Sequence, residues 1–286
     1  MILRADLHTH SYFSDGQLSP TDLVAAAHVA QITHFALTDH DTLAGLPEAR
    51  LEATRLGLHL IDGVELSTQW TRATTKRAVS VHIVGLGMTD CAPLNAVLDV
   101  QKDIRARRAE AICQKLEKIT KKPAWDAVLT LAGGRAEGIT RGHIAQWMVE
   151  AGIVNKIQQA FDRYLGEGKS AHVPLEWLPM AEGVKAILDS GGEAVLAHPT
   201  RNNLTSTALR HLLIDFKAAG GRAIELPPIN EPPATRGMIN RLVKEHGFYV
   251  STASDYHGAH MVWNKLGQVP TMAEGQIGVW TLLEDS

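Results

Sequence analysis

One local design recurs along this sequence and constrains it most: a short apolar run, closed by an imidazole or a carboxylate, then a helical pattern. "MILRADL" leads into His8 and His10, "HFALT" into Asp39 and His40, and "LHLIDGVEL" carries Glu65 near its end. "AVLA" leads into His198, and "FYVSTAS" into Asp255 and His257. Short apolar runs alternating with helical segments predict an α/β protein, with β/α units around a largely parallel sheet or barrel. In such a barrel the carboxyl ends of the strands converge on one face, so these side chains would meet there.

The helices between the runs carry their own punctuation. "SPTDLVAAAHVAQ" has Ser19 as N-cap, Pro20 at the first helical position and Asp22 in the first turn. Gly57 closes "LAGLPEARLEATRLG", and "VSVHIVGLG" reads as a further strand. The alternation then stops. "VQKDIRARRAEAICQKLEKITKK" is a long charged amphipathic helix in which Ile104, Ile112, Leu116 and Ile119 are spaced for packing, and no strand pattern follows until about residue 172. The expected division is a barrel of residues 1–97 and 173–286 interrupted by a helical insertion, 98–172. From "MAEGVKAILDSGG" onward helices alternate again with the strands "AVLA", "AIEL" and "FYVSTAS".

Composition removes several classes. A net charge of −3 argues against a surface that coats nucleic acid, so duplex DNA is not an expected partner. Two cysteines are too few for a disulfide framework or a cysteine-based zinc site, which points to a reducing compartment. The start, "MILRADLHTH", lacks a signal-peptide core, and no apolar run reaches the roughly 20 residues that span a bilayer. A cytoplasmic protein without a membrane partner is expected; composition is silent on oligomeric state.

The one oddity is fourteen histidines, and their placement matters. Residues i and i+2 of an extended chain point the same way, so His8 and His10 can grip one ion, as can Asp255 and His257. A lone histidine at a strand end is more often a hydrogen-bonded loop residue. Two such pairs plus single donors at successive strand ends favour a metal centre instead. Mixed nitrogen and oxygen donors suit manganese, iron or zinc better than calcium. Gly16 would let the chain turn so that Asp15 faces back into the site. His82 is the exception, because apolar residues continue after it. His28, His34, His59, His211, His246 and His260 lack a partnered donor and read as structural. Ser11 does too, since no Ser-His-Asp pattern surrounds it.

These segments resemble a known family. "DLHTHSYFSDG", "TDHDT", "GVELS", "VHIVGLG", "AHPTR" and "SDYH" are similar to the successive signatures of the PHP (polymerase and histidinol phosphatase) superfamily. The nearer likeness, carried by "LAGGRAEGITRGHIAQWMVEAG" and "YLGEGKSAHVP", is to its stand-alone bacterial phosphoesterases. Those include 3′,5′-nucleoside bisphosphate phosphatases and 5′→3′ exoribonucleases. The resemblance implies a distorted (β/α)7-type barrel with a trinuclear site, its ligands being His8, His10, Asp15, His40, Glu65, His82, His198, Asp255 and His257. It implies that Glu65 bridges two ions, and that Asp15, His40, Glu65, His198, Asp255 and His257 form the catalytic set. Asp39 would orient a ligand imidazole. Manganese is the expected metal, up to three ions per chain, with iron or zinc as alternatives. Two features depart from the family pattern: His172, where an aromatic residue is commoner, and the proline-rich segment 227–233.

Clustered divalent ions neutralise phosphate oxygens, lower the pKa of water toward roughly 7 and hold attacking and leaving oxygens in line, so no protein nucleophile is needed. A second phosphate needs other donors. Thr140 reads as the N-cap of a helix with Arg141 and His143 in its first turn, where free amides favour an anion. Arg105, Arg107 and Arg108 of "IRARR", and Arg201 three residues after His198, are further candidates, with Lys169 in a glycine loop a weaker one. The leading expectation is removal of the 3′-phosphate from a nucleoside 3′,5′-bisphosphate. The alternative is a 5′→3′ exoribonuclease acting on short 5′-phosphorylated RNA, which shares the chemistry. A polymerase-associated or regulatory module is the expectation of another class, and would need a partner chain.

Overall fold

The computed structural model describes residues 3–75, 78–174, 177–202, 204–261 and 263–283. It divides into two compact units, Met1–Val97 with Leu178–Ser286, and Leu98–Trp177.

The first unit holds the sheet. Its strands are β1 (Ala5–Asp6), β2 (His34–Leu37), β3 (His59–Thr71), β4 (Ala78–Leu86), β5 (Leu178–Pro179), β6 (Glu193–Leu196), β7 (Ala223–Glu225) and β8 (Tyr249–Ser251). They lie in the order β1-β2-β3-β4-β6-β7-β8, with β5 paired to β3 off this path. Past β1 and β8 the chain ends of the sheet meet. Leu7 N donates to Thr252 O at 3.0 Å, Asp255 N to His8 O at 3.0 Å, and His10 N to Tyr256 O at 2.9 Å. The sheet thereby curls into a distorted β/α barrel.

The run "MILRADL" forms a ladder only at Ala5–Asp6; Met1 and Ile2 lie outside the described residues. A second difference is direction. β4 is antiparallel to both β3 and β6, whereas the remaining neighbours are parallel. Only residues 72–77 link β3 to β4, too short a connection for a parallel crossover, which needs about a dozen residues or more.

The helices of this unit are α1 (Pro20–Val29), α2 (Leu46–Leu56) and the start of α3 (Ala92–Thr120), then, past the second unit, α7 (Met180–Asp189), α8 (Ser206–Ala218) and α9 (Pro233–His246). Ser19 Oγ caps α1 by accepting from Asp22 N at 3.0 Å, and Gly57 ends α2 at φ 67°. The proline run that departs from the family pattern has a simple place. β7 ends at Glu225, the prolines follow in a loop, and Pro233 opens α9. Inside the curl, Ala5, Leu7, Ala36, Ile61, Val84, Leu86, Val195, Ala197 and Ala223 pack with Val279 and Trp280. Leu23, Val24 and Ala27 of α1 pack outside, with Phe35, Leu37, Ala49 and Ala53. Each fully buried Leu or Phe contributes about 1.5–3 kcal/mol, which holds the strands that position the polar residues beyond them.

The second unit contains no strand among its described residues. The rest of α3 packs Ala109, Ile112, Cys113 and Leu116 against α4 (Trp125–Leu131), α5 (Arg141–Glu150), α6 (Ile157–Ala160) and the π-helical turn Phe161–Leu165. Ile119 is 43% exposed and lies off the packed face that its spacing suggested.

Candidate metal centre

Glu65 organises the site. It lies mid-way along β3, almost fully buried, with its N–H bonded to Asp39 O at 3.2 Å and its carbonyl accepting from Asp41 N at 2.9 Å. Oε2 is 3.1 Å from His8 Nε2, 3.3 Å from His10 Nε2 and 3.0 Å from His40 Nδ1. Oε1 faces the other way, 2.8 Å from His82 Nδ1 and 2.9 Å from His198 Nε2. His82 is thereby explained. β4 runs antiparallel to β3, so a residue in its middle, paired with Ser67, reaches the centre that parallel strands reach only at their ends.

Two carboxylates complete the cluster. Asp255 Oδ1 is 3.4 Å from His10 Nε2 and 3.6 Å from both His8 Nε2 and His257 Nδ1. Asp15 lies 3.3 Å from His257 Nε2 and 3.9 Å from His10 Nδ1 and His40 Nε2. Three donor groups result: His10, Asp15, His40 and His257; His8, His10 and Asp255; and His40, Glu65 and His82. All nine residues named from the sequence are brought together.

This donor set fits divalent ions. Neighbouring donors about 2.1 Å from a shared ion stand roughly 3.0–3.5 Å apart, the spacing seen around Glu65. His8 Nε2 and His10 Nε2 face each other at 3.0 Å. Asp15 Oδ1 and His40 Nδ1 make no well-aligned hydrogen bond, although they stand 3.3 Å from His257 Nε2 and 3.0 Å from Glu65 Oε2. Buried polar atoms that face one another without bonding are satisfied by a cation between them. His198 and Asp255 also hold left-handed backbone, φ 26° and 52°, an unfavourable conformation for such residues that concentrates at functional sites.

The electrostatics agree. Burial opposes charge on Glu65 and Asp255, yet the imidazoles around them hold both carboxyls well below the usual carboxylate range. Burial alone would lower His8, but Glu65, Glu225 and Asp255 raise it well above its ordinary value. His10, opposed by burial, is lifted to about 10 by Asp255 and Glu65. His40 goes the other way: burial pushes it to about 3 despite Glu65 and Asp15.

Three details differ from expectation. Gly16 has no positive φ; it is needed because a Cβ there would stand 2.1 Å from His10 O, where Gly16 N also bonds Ser11 O at 2.9 Å. Asp39 contacts no ligand ring. It accepts from Ser11 N at 2.8 Å, Ser11 Oγ at 2.6 Å and Ser14 Oγ at 2.7 Å, and so holds the turn that carries Asp15. Only through Ser14, 3.4 Å from His10 Nδ1, does it approach an imidazole. The carboxylate that does orient a ligand is Glu225, which the sequence reading passed over; its Oε2 lies 2.9 Å from His8 Nδ1. The available signal was its position closing the strand "AIEL".

The candidate substrate residues are more dispersed. Arg201 pairs with Asp255 Oδ2, beside the metal donors. In the second unit Arg105 and Arg108 lie over the Trp177 ring at 5.2 and 5.7 Å, and burial together with Arg141 and Arg105 lowers Arg108 to about 10. Arg141 lies 5.7 Å from the Phe161 ring centroid, and Arg107 bonds Asp103 O of its own helix. Thr140 and His143 engage each other as the capping box of α5. No helix among the described residues is long and apolar enough to cross a membrane.

A β/α barrel that gathers imidazoles and carboxylates into adjoining donor groups at one face defines a metal-dependent hydrolase. The chain belongs to the PHP domain family, whose model matches residues 6–177. It is 41% identical to a 5′-3′ exoribonuclease of Haemophilus influenzae, over 98% of this chain and 99% of that one. It is 34% identical to a 3′,5′-nucleoside bisphosphate phosphatase of Chromobacterium violaceum, over 98% and 96%. A solved structure from the same organism, described as an amidohydrolase with bound sulfate and no metal, superposes with a TM-score of 0.88 at 33% identity, covering 99% of this chain and 96% of that one.

Proposed function

We propose that this chain is a metal-dependent phosphoesterase that hydrolyses the ester on the 3′ side of a 5′-phosphorylated nucleotide. On short 5′-phosphorylated RNA that is 5′→3′ exoribonuclease activity; a nucleoside 3′,5′-bisphosphate is the shortest substrate of the same reaction. The sequence placed the bisphosphate first. The greater identity to the exoribonuclease, 41% against 34%, supports the reverse order.

The observation that carries the chemistry is the division of Glu65, one oxygen among His8, His10 and His40 and the other between His82 and His198. Glu65 would thus be shared by two ions, with Asp15, His10, His40 and His257 able to hold a third, and we assign manganese to the set. Bound ions supply charge neutralisation for the phosphate and activation of the attacking water. His8 and His10, with side chains 1% and 0% exposed, serve only to hold the cluster. Asp15 and His82, each with a 25% exposed side chain, mark where the ester enters. The sulfate bound by the C. violaceum structure is consistent with a phosphate-sized anion in this fold. Arg201, beside the metal donors, is proposed to bind the remaining phosphate; within the second unit Arg105, Arg107, Arg108, Thr140, Arg141 and His143 are proposed as substrate-binding residues. The two free cysteines fit a cytoplasmic setting.

Metal-loaded protein incubated with adenosine 3′,5′-bisphosphate and with a 5′-phosphorylated tetraribonucleotide tests this, products being followed by chromatography. Stepwise 5′-mononucleotides from the RNA and AMP from the bisphosphate are expected. AMP and phosphate with intact RNA would reduce the reading to a phosphatase; no product from either would overturn it.

A further inference from the structure

Trp263 lies on the loop that follows the donors Asp255 and His257, and its side chain is 76% exposed. Covering a tryptophan buries 150–250 Å² of surface, so one left this open offers that much area to a ligand. A single exposed apolar residue is common and means little. Here its setting adds two observations.

The first is a rigid mount. The loop turns through Met261 N bonded to Gly258 O at 3.1 Å, and again through Asn264 N bonded to Met261 O at 3.1 Å. Asn264 is buried, and its side-chain amide donates to Asp255 O at 3.4 Å. Trp263 is therefore held one peptide unit, about 3.8 Å between Cα atoms, from a residue that touches the backbone of a metal donor. Among the described residues nothing hydrogen-bonds its indole nitrogen.

The second is a partner on the adjoining loop. Tyr12, between His10 and Asp15, is 44% exposed and stacks on Phe13 with ring centroids 4.8 Å apart. The two loops are tied together: Gln17 N donates to His257 O at 2.7 Å, His10 N to Tyr256 O at 2.9 Å, and the Gln17 side chain occupies the space where a Cβ of Gly258 would stand. Two exposed aromatic rings thus project from the two loops that carry His10, Asp15, Asp255 and His257.

We propose that Trp263, with Tyr12, is a stacking surface for the bases of single-stranded RNA downstream of the scissile ester. Every base has a π-face, so such a surface holds a chain without reading its sequence, as an exonuclease that advances base by base requires. The inference rests on the exoribonuclease reading above, and the test keeps the two apart.

KM and kcat are measured for 5′-phosphorylated oligoribonucleotides of two to six residues with wild type, Trp263→Ala and Trp263→Phe, and repeated with single abasic residues placed along the substrate. Wild type should show KM falling with length, and a rise of about fivefold or more when the stacked base is removed. Trp263→Ala should raise KM by a similar factor with kcat little moved, and lose its response to the abasic residue, while Trp263→Phe recovers most of the affinity. Equal length dependence and equal abasic sensitivity in wild type and Trp263→Ala would overturn the proposal. So would a loss of kcat on every length, which would mark a structural role at the metal centre. Wild type that cleaves the bisphosphate but no RNA would sink the exoribonuclease reading itself.

Discussion

Glu225 stands 2.9 Å from Nδ1 of His8, so that this ring nitrogen is used on the carboxylate and Nε2 is left facing the metal donors. A carboxylate behind a ligand imidazole sets its tautomer and raises its basicity, and removing such a partner costs 10–100-fold in metal affinity. Glu225→Ala should lower manganese affinity by about that factor, read by competition with a fluorescent chelator. Glu225→Gln keeps an acceptor and should fall between the two. Wild-type affinity in Glu225→Ala would show that His8 needs no orienting partner.

Glu65 divides its two oxygens between five imidazoles at 2.8–3.3 Å, Oε2 toward His8, His10 and His40 and Oε1 toward His82 and His198. Its replacement should therefore cost more than that of any residue behind a ligand: Glu65→Gln is expected to lose activity by at least about a hundredfold and to bind fewer ions per chain. Metal content after dialysis, measured by elemental analysis alongside circular dichroism, separates this from misfolding. Full stoichiometry in a folded variant would refute the bridging assignment.

The barrel was legible in the alternation of short apolar runs with helical patterns, and His8, His10, His40, Glu65, His198, Asp255 and His257 in their places along or after those runs, while the full set of nine donors came from the family resemblance. His82 fitted poorly since an antiparallel β4 is invisible to a reading that sees apolar runs and no direction; the short link 72–77 was the usable clue. Glu225 was missed, and Asp39 misassigned, for a related reason. Which carboxylate backs which ring depends on contacts between residues 217 positions apart, as for His8 and Glu225, and spacing along the chain carries no trace of them. Thr140 and His143 read as anion donors in sequence; in the structure they also cap α5 reciprocally, a local role that depends on the imidazole at N3 accepting from the Thr140 N–H.

Ion uptake should release protons. In the metal-free protein burial opposes charge on His8 and His10, but the carboxylates around them raise both, His8 well above its ordinary value and His10 to about 10. Burial pushes His40 the other way, to about 3. Ions bind the unprotonated ring, so affinity should rise with pH and ion uptake should release protons at neutral pH. Calorimetric titration in two buffers of different ionisation enthalpy counts them; a count of zero would contradict the assignment. Stability has a matching sign. The folded value of His10 exceeds its ordinary 6.5, so its stabilisation is complete below that pH and is lost as pH rises toward about 10. The Tm of metal-free protein should decline across that window, and that of metal-loaded protein should not share this decline.

Gly16 separates folding from metal binding. A methyl group at this position would stand 2.1 Å from His10 O, in a turn already closed by Gly16 N on Ser11 O, so the backbone itself has to move. Overpacking of this kind costs about 1–3 kcal/mol. The displaced segment includes Asp15, whose Oδ1 lies 3.3 Å from His257 Nε2. Gly16→Ala should therefore lower urea stability of the metal-free protein and weaken ion binding together. Asp15→Asn removes the donor charge and leaves the turn intact, so it should weaken ion binding with a much smaller loss of metal-free stability. Urea titrations with and without manganese distinguish the two variants, and an unchanged midpoint for Gly16→Ala in both would show that the turn tolerates a side chain.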